Sequence, residues 1–398
     1  MNSKVYINDY CCISPLGLEK MAFKSNLKNA AHCFSKISQT ESTISNVMAL
    51  IPGQKLTSSL DIYNLEGIAQ KKKWIDLLFN SADILSNNKI DLIIYAHNTD
   101  FNLISYNYFK QSGTPVILCD EEITLFTPKD IDAYLNHNAL TDSKTERIHL
   151  HNMCASTAAA MALALKRLQL NLSKNILIVS MEVSNNNPYL LMALKSLGVL
   201  NTNWSENKTN YGPFANQRSG FIKADSINYL LLSNKPNNPI AEIVSAVNFS
   251  ESHSLTESIE SGSSIAMAME ECLKNAQVKK EQIDYLNAHG SGTYSNDLAE
   301  ARAIEIVFPC DLYSLPTSST KSQSGHALCA SGGIEISSIL AMFEEKFIAG
   351  NINCVTQDEE ININILKKPV LNKRIDYAFK NSLGMGGYNS CMILKNET

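Results

Sequence analysis

The sequence predicts a layered α/β protein built from two related halves, and three observations carry that expectation. Strand-like and helical patterns alternate along the 398 residues, the arrangement of a largely parallel sheet covered by helices. The order of a strand, a histidine and a helix opened by Cys-Ala-Ser occurs twice, as "HNMCASTAAAMALALKRL" from His151 and "HALCASGGIEISSILAMF" from His326. The chain is also too long for one hydrophobic core of ordinary size. We therefore expect an N-terminal half over residues 1–235 and a C-terminal half over residues 236–398.

Each element has its own justification. The segments "KVYIND", "IDLIIYAH", "NILIVSMEV" and "INYLLLS" in the first half, and "IDYLNAHG" and "YNSCMIL" in the second, are short runs rich in β-branched and aromatic residues. Between them, "STAAAMALALKRLQL", "SSIAMAMEECLKNA" and "GGIEISSILAMFEEKFIAG" repeat apolar residues at helical spacing. The helix after Cys154 carries no charge before Lys166, so it is apolar nearly all round and should be buried.

Composition narrows the function classes. A formal charge of −5 leaves no electrostatic footprint for nucleic acid. No apolar run approaches the roughly 18 residues of a membrane span, and no secretory leader is visible, so a cytoplasmic protein is expected. The ten cysteines are never spaced C-x-x-C, which argues against a disulfide framework or a zinc site. Charged residues make up only 18% of the chain, which points to surface covered by a second subunit.

Reactivity has to be argued cysteine by cysteine. A cysteine opening a buried helix sits at the positive end of the helix dipole, where the thiolate is favoured, so Cys154 is expected to have a lowered pKa. Downstream lie "NAHGSGT" with His289, "STKSQSGHALCASGG" with Lys321 and His326, and "NSLGMGG" with Met385. In this order they resemble the elongating, Cys-His-His β-ketoacyl-acyl carrier protein synthases of the thiolase superfamily. "ISPLG" at Ile13 to Gly17 and "RSGFIKAD" at Arg218 to Asp225 extend the resemblance over nearly the whole chain.

The resemblance implies a five-layered α/β/α/β/α fold of two duplicated halves. It also implies decarboxylating condensation of an acyl thioester with malonyl-acyl carrier protein, giving a 3-oxoacyl product. Cys154 is then the nucleophile, His289 and His326 assist decarboxylation, and Lys321 lies behind them with Asp297 and Glu300. The backbone N–H groups of Cys154 and Met385 would form an oxyanion hole. Phe221, Ser291, Thr293 and Met385 would line the substrate pocket. No cofactor or metal is implied, because the substrates ride on the phosphopantetheine of acyl carrier protein. The expected partners are that carrier, with Lys71, Lys72 and Lys73 as its docking stretch, and a second subunit, identical or a ketosynthase-like chain-length factor.

The residue chemistry points the same way. A thiol takes an acyl group from a thioester with little change in free energy, and two imidazole N–H donors stabilise the enolate left by decarboxylation. Cys329, His151 and Cys391 are read as packing residues. The chain departs from the family where Ala224 and Ser226 stand for glycines and where Met385 stands for an aromatic gate, which suggests a specialised acyl, polyene or polyketide pathway. An acyltransferase on the same scaffold and a non-catalytic chain-length-determining subunit remain open.

Overall fold

Ten strands form one sheet in the computed structural model, which describes residues 3–36, 47–52, 73–79, 89–98, 128–185, 188–202, 204–205, 210–309 and 314–398. In chain order they are β1 (Tyr6–Ile13), β2 (Leu92–His97), β3 (Glu146–Leu150), β4 (Asn175–Glu182) and β5 (Ser226–Ser233). Then come β6 (Ala241–Ser250), β7 (Tyr285–Asn287), β8 (Thr317–Ser318), β9 (Tyr377–Gly384) and β10 (Tyr388–Asn396). Their spatial order is β8-β7-β9-β10-β6-β1-β5-β4-β2-β3. Read outward from the β1–β6 seam, each half has its first strand innermost, then its fifth, fourth, second and third. The seam is a short antiparallel pairing of Tyr6 with Glu242 and Ile7 with Ala241. The chain crosses between the two arrangements after Ser233 and before Ala241, a connection that contains residue 235.

Strand composition explains the burial. β2 (LIIYAH), β4 and β5 are buried along almost their entire length, as continuous apolar runs must be when both faces of a sheet are covered. Helix α1 (Ser156–Gln169) follows β3, and α5 (Ser331–Glu345) follows β8, so the two Cys-Ala-Ser helices occupy equivalent places. Helix α1 packs against β2 and β4 of its own half and against β6 and β10 of the other, the position of a shared middle layer. Small residues allow it: α1 buries Ala158, Ala159 and Ala160, and a Cβ on Gly332 of α5 would lie 2.8 Å from the Thr157 side chain. Thr157 Oγ1 donates to the carbonyl of Cys329 at 2.8 Å, tying the two helix starts together.

Other helices of the frame include α2 (Pro188–Ser196), α3 (Ser263–Ala276) and α4 (Tyr294–Val307). Helices α3 and α4 cover the outer face of the C-terminal half. Among the described residues no helix is long and apolar enough to cross a membrane.

Candidate active site

Both cysteines sit on a 3-10 turn just ahead of their helix, Met153–Ala155 before α1 and Leu328–Ala330 before α5. In each case the residue before the cysteine is left-handed, Met153 at φ 51° and Leu328 at φ 41°. Such a backbone is disfavoured for side chains of this size and persists only where surrounding packing imposes it. The outcome differs between halves. Cys329 is completely buried and receives a contact from Ser156 Oγ at 3.5 Å, whereas Cys154 opens onto a cavity.

That cavity is lined by Cys154, Phe221, His289, Ser291, Thr293, His326 and Met385, among others, so the expected nucleophile, histidine pair and pocket residues meet in one place. The end of β9 lies against the cysteine turn: a Cβ on Gly384 would fall 3.0 Å from the Asn152 carbonyl and 3.2 Å from the Ala155 amide. This is how the segment carrying Met385 reaches Cys154.

The ring nitrogens of the two histidines are assigned by their partners. Leu328 donates its backbone N–H to His326 Nδ1 at 3.1 Å, so Nδ1 is an acceptor and the ring proton is on Nε2. Ser331 Oγ lies 2.7 Å from the same nitrogen. Lys321 Nζ lies 3.3 Å from His289 Nδ1, and an ammonium can only donate, so His289 likewise carries its proton on Nε2. The rings stand 5.5 Å apart at 80°, and Phe221 packs edge-on against His326 with centroids at 4.7 Å. Burial holds both imidazoles well below their ordinary pKa, and the Lys321 ammonium adds to the effect on each.

Two expectations need correction. Cys154 does not have a lowered pKa: burial pushes its thiol up to about 12, and the carboxylates of Glu182 and Glu335 outweigh part of the help from Lys321. Cys154 belongs to an apolar cluster with Leu190, Leu191, Leu194, Leu200 and Phe221, while α1 itself begins only at Ser156. Desolvation in an apolar cluster wins over the helix end.

Nor do Asp297 and Glu300 partner Lys321. Glu300 accepts the backbone N–H groups of His289 at 2.7 Å and Gly290 at 2.8 Å. Asp297 accepts those of Phe214 at 2.8 Å and Gly292 at 3.1 Å. Both carboxylates shape the histidine loop from below. The partner of Lys321 is Glu335 on α5, which also pairs with Lys380 on β9, and Lys321 donates to the His289 carbonyl at 2.5 Å. Glu335 and Lys380 escaped the sequence reading although a signal existed. A lone carboxylate in "GGIEISSILAMF" and a lone lysine in "YAFKNSLG" are charges inside buried elements, and such charges need each other.

Of the docking stretch, Lys71 and Lys72 lie outside the described residues; Lys73 is exposed at the start of a helix over 73–79.

Residues 240–355 match the model of the β-ketoacyl synthase C-terminal domain, a span that holds His289, Lys321 and His326. The chain is also similar to curated proteins over part of its length. It is 35% identical over 190 residues to 3-oxoacyl-[acyl-carrier-protein] synthase 2 of Staphylococcus aureus, covering 46% of this chain and 47% of that one. It is 30% identical over 190 residues to the protein of the same name from Synechocystis, covering 46% and 45%. The match thus spans about half the length of these curated relatives.

Over the full length of both chains, the fold superposes at a TM-score of 0.84 and 20% identity on a type II PKS acyl-carrier protein in complex with its ketosynthase bound to the hexaketide. A β-ketoacyl synthase from Burkholderia phymatum gives 0.80 at 18%, also over the full length of both chains. The ishigamide ketosynthase/chain length factor gives 0.79 at 17% with the same coverage. The fold is the thiolase-type fold expected from the motifs. Cys154 lies outside the segment that matches the family model, so its place in the candidate site rests on the cavity it shares with the histidines.

Proposed function

We propose that the chain is a decarboxylating condensing enzyme that joins an acyl thioester to malonyl-acyl carrier protein, forming a 3-oxoacyl-acyl carrier protein and carbon dioxide. The observation that carries this reading is that two neutral imidazoles, each with its proton on Nε2, share the cavity of the Cys154 thiol. Two N–H donors and no ring acceptor suit the stabilisation of an enolate oxygen, an effect typically worth about 3 kcal/mol per donor.

The steps balance without an added base. In loading, the carbonyl carbon moves from the carrier thiol to Cys154 Sγ, and the proton displaced from Cys154 ends on the departing thiol. A thiol that rests protonated is compatible with this exchange. In condensation, the malonyl group loses carbon dioxide, and its C2 attacks the Cys154 thioester while the histidines hold the enolate oxygen. Cys154 leaves as thiolate and regains its proton from solvent water, the one proton that loss of the malonyl carboxylate as carbon dioxide consumes. The N–H groups of Cys154 and Met385 would receive the oxyanion of each tetrahedral intermediate. Ser291 and Thr293, whose hydroxyls are 2.8 Å apart, would meet the pantetheine arm. The thiol and imidazoles supply all the chemistry this requires, so the reading calls for no dissociable cofactor or metal.

The names of the structural neighbours support a carrier protein and a ketosynthase-like second subunit as partners. Incubation with acyl-acyl carrier protein followed by intact-mass and peptide mapping tests the reading. An acyl adduct on Cys154 that disappears with carbon dioxide release on adding malonyl-acyl carrier protein is expected. An adduct that survives malonyl addition would leave only acyl transfer.

A further inference from the structure

The loop from Gly220 to Ser226 carries a second buried charge that the reaction does not use. Lys223 is completely buried, and its ammonium donates to the Ala224 carbonyl at 2.6 Å and to Asp225 Oδ1 at 3.0 Å, with Glu182 Oε1 at 4.0 Å. The Asp225 carboxylate in turn accepts the backbone N–H groups of Ser184 at 2.8 Å and Asn185 at 3.1 Å, just past the end of β4. A fully buried ammonium is costly unless several partners face it, so a lysine here demands a reason.

The reason lies in what flanks it. His326 donates its backbone N–H to the Ile222 carbonyl at 2.8 Å, and Ala224 donates its own to the His326 carbonyl at 3.0 Å. Lys223 is thus the residue around which the backbone of His326 is clamped, and Phe221, two positions earlier, packs on the His326 ring.

We propose that Lys223 is a positioning residue for His326, anchoring the clamp at Ile222 and Ala224 to the end of β4 through Asp225. The inference rests on the condensing reading for its kinetic consequence but not for its structural one. Its charge acts in the same sense. The groups facing His326 are Lys321 on the turn after β8, Lys380 on β9, His289 and Lys223, and the three lysines all disfavour the imidazolium. Facing Lys223 itself are Glu182 on β4, Asp225 and Cys329.

The test is imidazole 15N spectroscopy of histidine-labelled protein, with His326 assigned by its loss in His326→Gln, together with decarboxylation of malonyl-acyl carrier protein. In the wild type, His326 should keep its Nε2–H form from pH 8 to about pH 5. In Lys223→Met the signal should split between tautomers or titrate about one pH unit higher. Carbon dioxide release should fall about tenfold or more in kcat, with KM within about twofold and acyl loading of Cys154 retained. Lys223→Met/Asp225→Asn, which removes both charges of the pair, replaces the single variant if that one does not fold. A His326 spectrum and decarboxylation rate equal to wild type in these variants would overturn the proposal, since a merely structural lysine would lower thermal stability without moving either. If the wild type releases no carbon dioxide, the condensing reading fails, yet the spectrum still decides the role of Lys223.

Discussion

Burial sets the protonation of three titratable groups that line this cavity: it keeps the Cys154 thiol protonated and the His289 and His326 rings neutral. For the histidines the folded pKa lies well below the unfolded value of about 6.5, so below that pH the unfolded chain binds more protons than the folded one. Stability present above about pH 6.5 should therefore decline as pH falls to 5.5, by up to about 1.4 kcal/mol per pH unit for each ring. Urea midpoints at pH 7.5 and 5.5 check this, and His289→Gln should flatten the slope. The two cysteines part company at the same scale. Cys154→Ala should abolish acyl loading while sparing some malonyl decarboxylation, because the imidazoles remain. Cys329→Ala should keep activity within a few-fold and cost on the order of 1 kcal/mol of packing, read by thermal denaturation. Met385 lines the cavity, so Met385→Phe should shift the chain lengths accepted without preventing transfer to Cys154; an unchanged product profile would place the gate elsewhere.

Elements bring these residues together through a few close approaches. Gly220 has φ +120°, and a Cβ there would lie 2.5 Å from the Val199 carbonyl oxygen and 2.7 Å from the Leu200 carbonyl carbon. Gly220→Ala should displace Phe221 from the His326 ring, lowering both melting temperature and decarboxylation. Much of this scale was legible in the sequence. The repeated Cys-Ala-Ser helices, the histidine loops and the apolar strands carry strong local patterns, and they fall on equivalent elements of the two halves. What was hidden is instructive. Strand β8 is only Thr317–Ser318, too short for any period to show. The 3-10 turns that set Cys154 and Cys329 ahead of their helices depend on left-handed Met153 and Leu328, which no propensity announces. The ion network of Lys321, Glu335 and Lys380 joins a turn, a helix and a strand far apart in sequence, so its charges were visible but their pairing was not.

At the scale of the whole molecule, the proposed condensation needs a carrier protein to deliver both substrates to the cavity. Reversing Lys71, Lys72 and Lys73 to Glu should raise KM for acyl-acyl carrier protein with kcat nearly unchanged, and the effect should shrink at high salt as exposed charges are screened. An unaltered KM would retire these lysines as the docking stretch. The two copies of the cysteine turn meet the cavity differently: the N-terminal copy presents its cysteine to it, and the C-terminal copy presents His326, three residues before its own cysteine. In the proposed reaction Cys154 and the two histidines act on one substrate pair in this cavity. That joint action is tested most directly by measuring carbon dioxide release from malonyl-acyl carrier protein by the wild type, Cys154→Ala and the His289→Ala/His326→Ala double variant, with acyl loading followed in parallel by mass spectrometry. The histidine double variant should load without decarboxylating, and Cys154→Ala should decarboxylate without loading; full decarboxylation in the histidine double variant, or an acyl adduct mapped to Cys329, would overturn the proposed reaction.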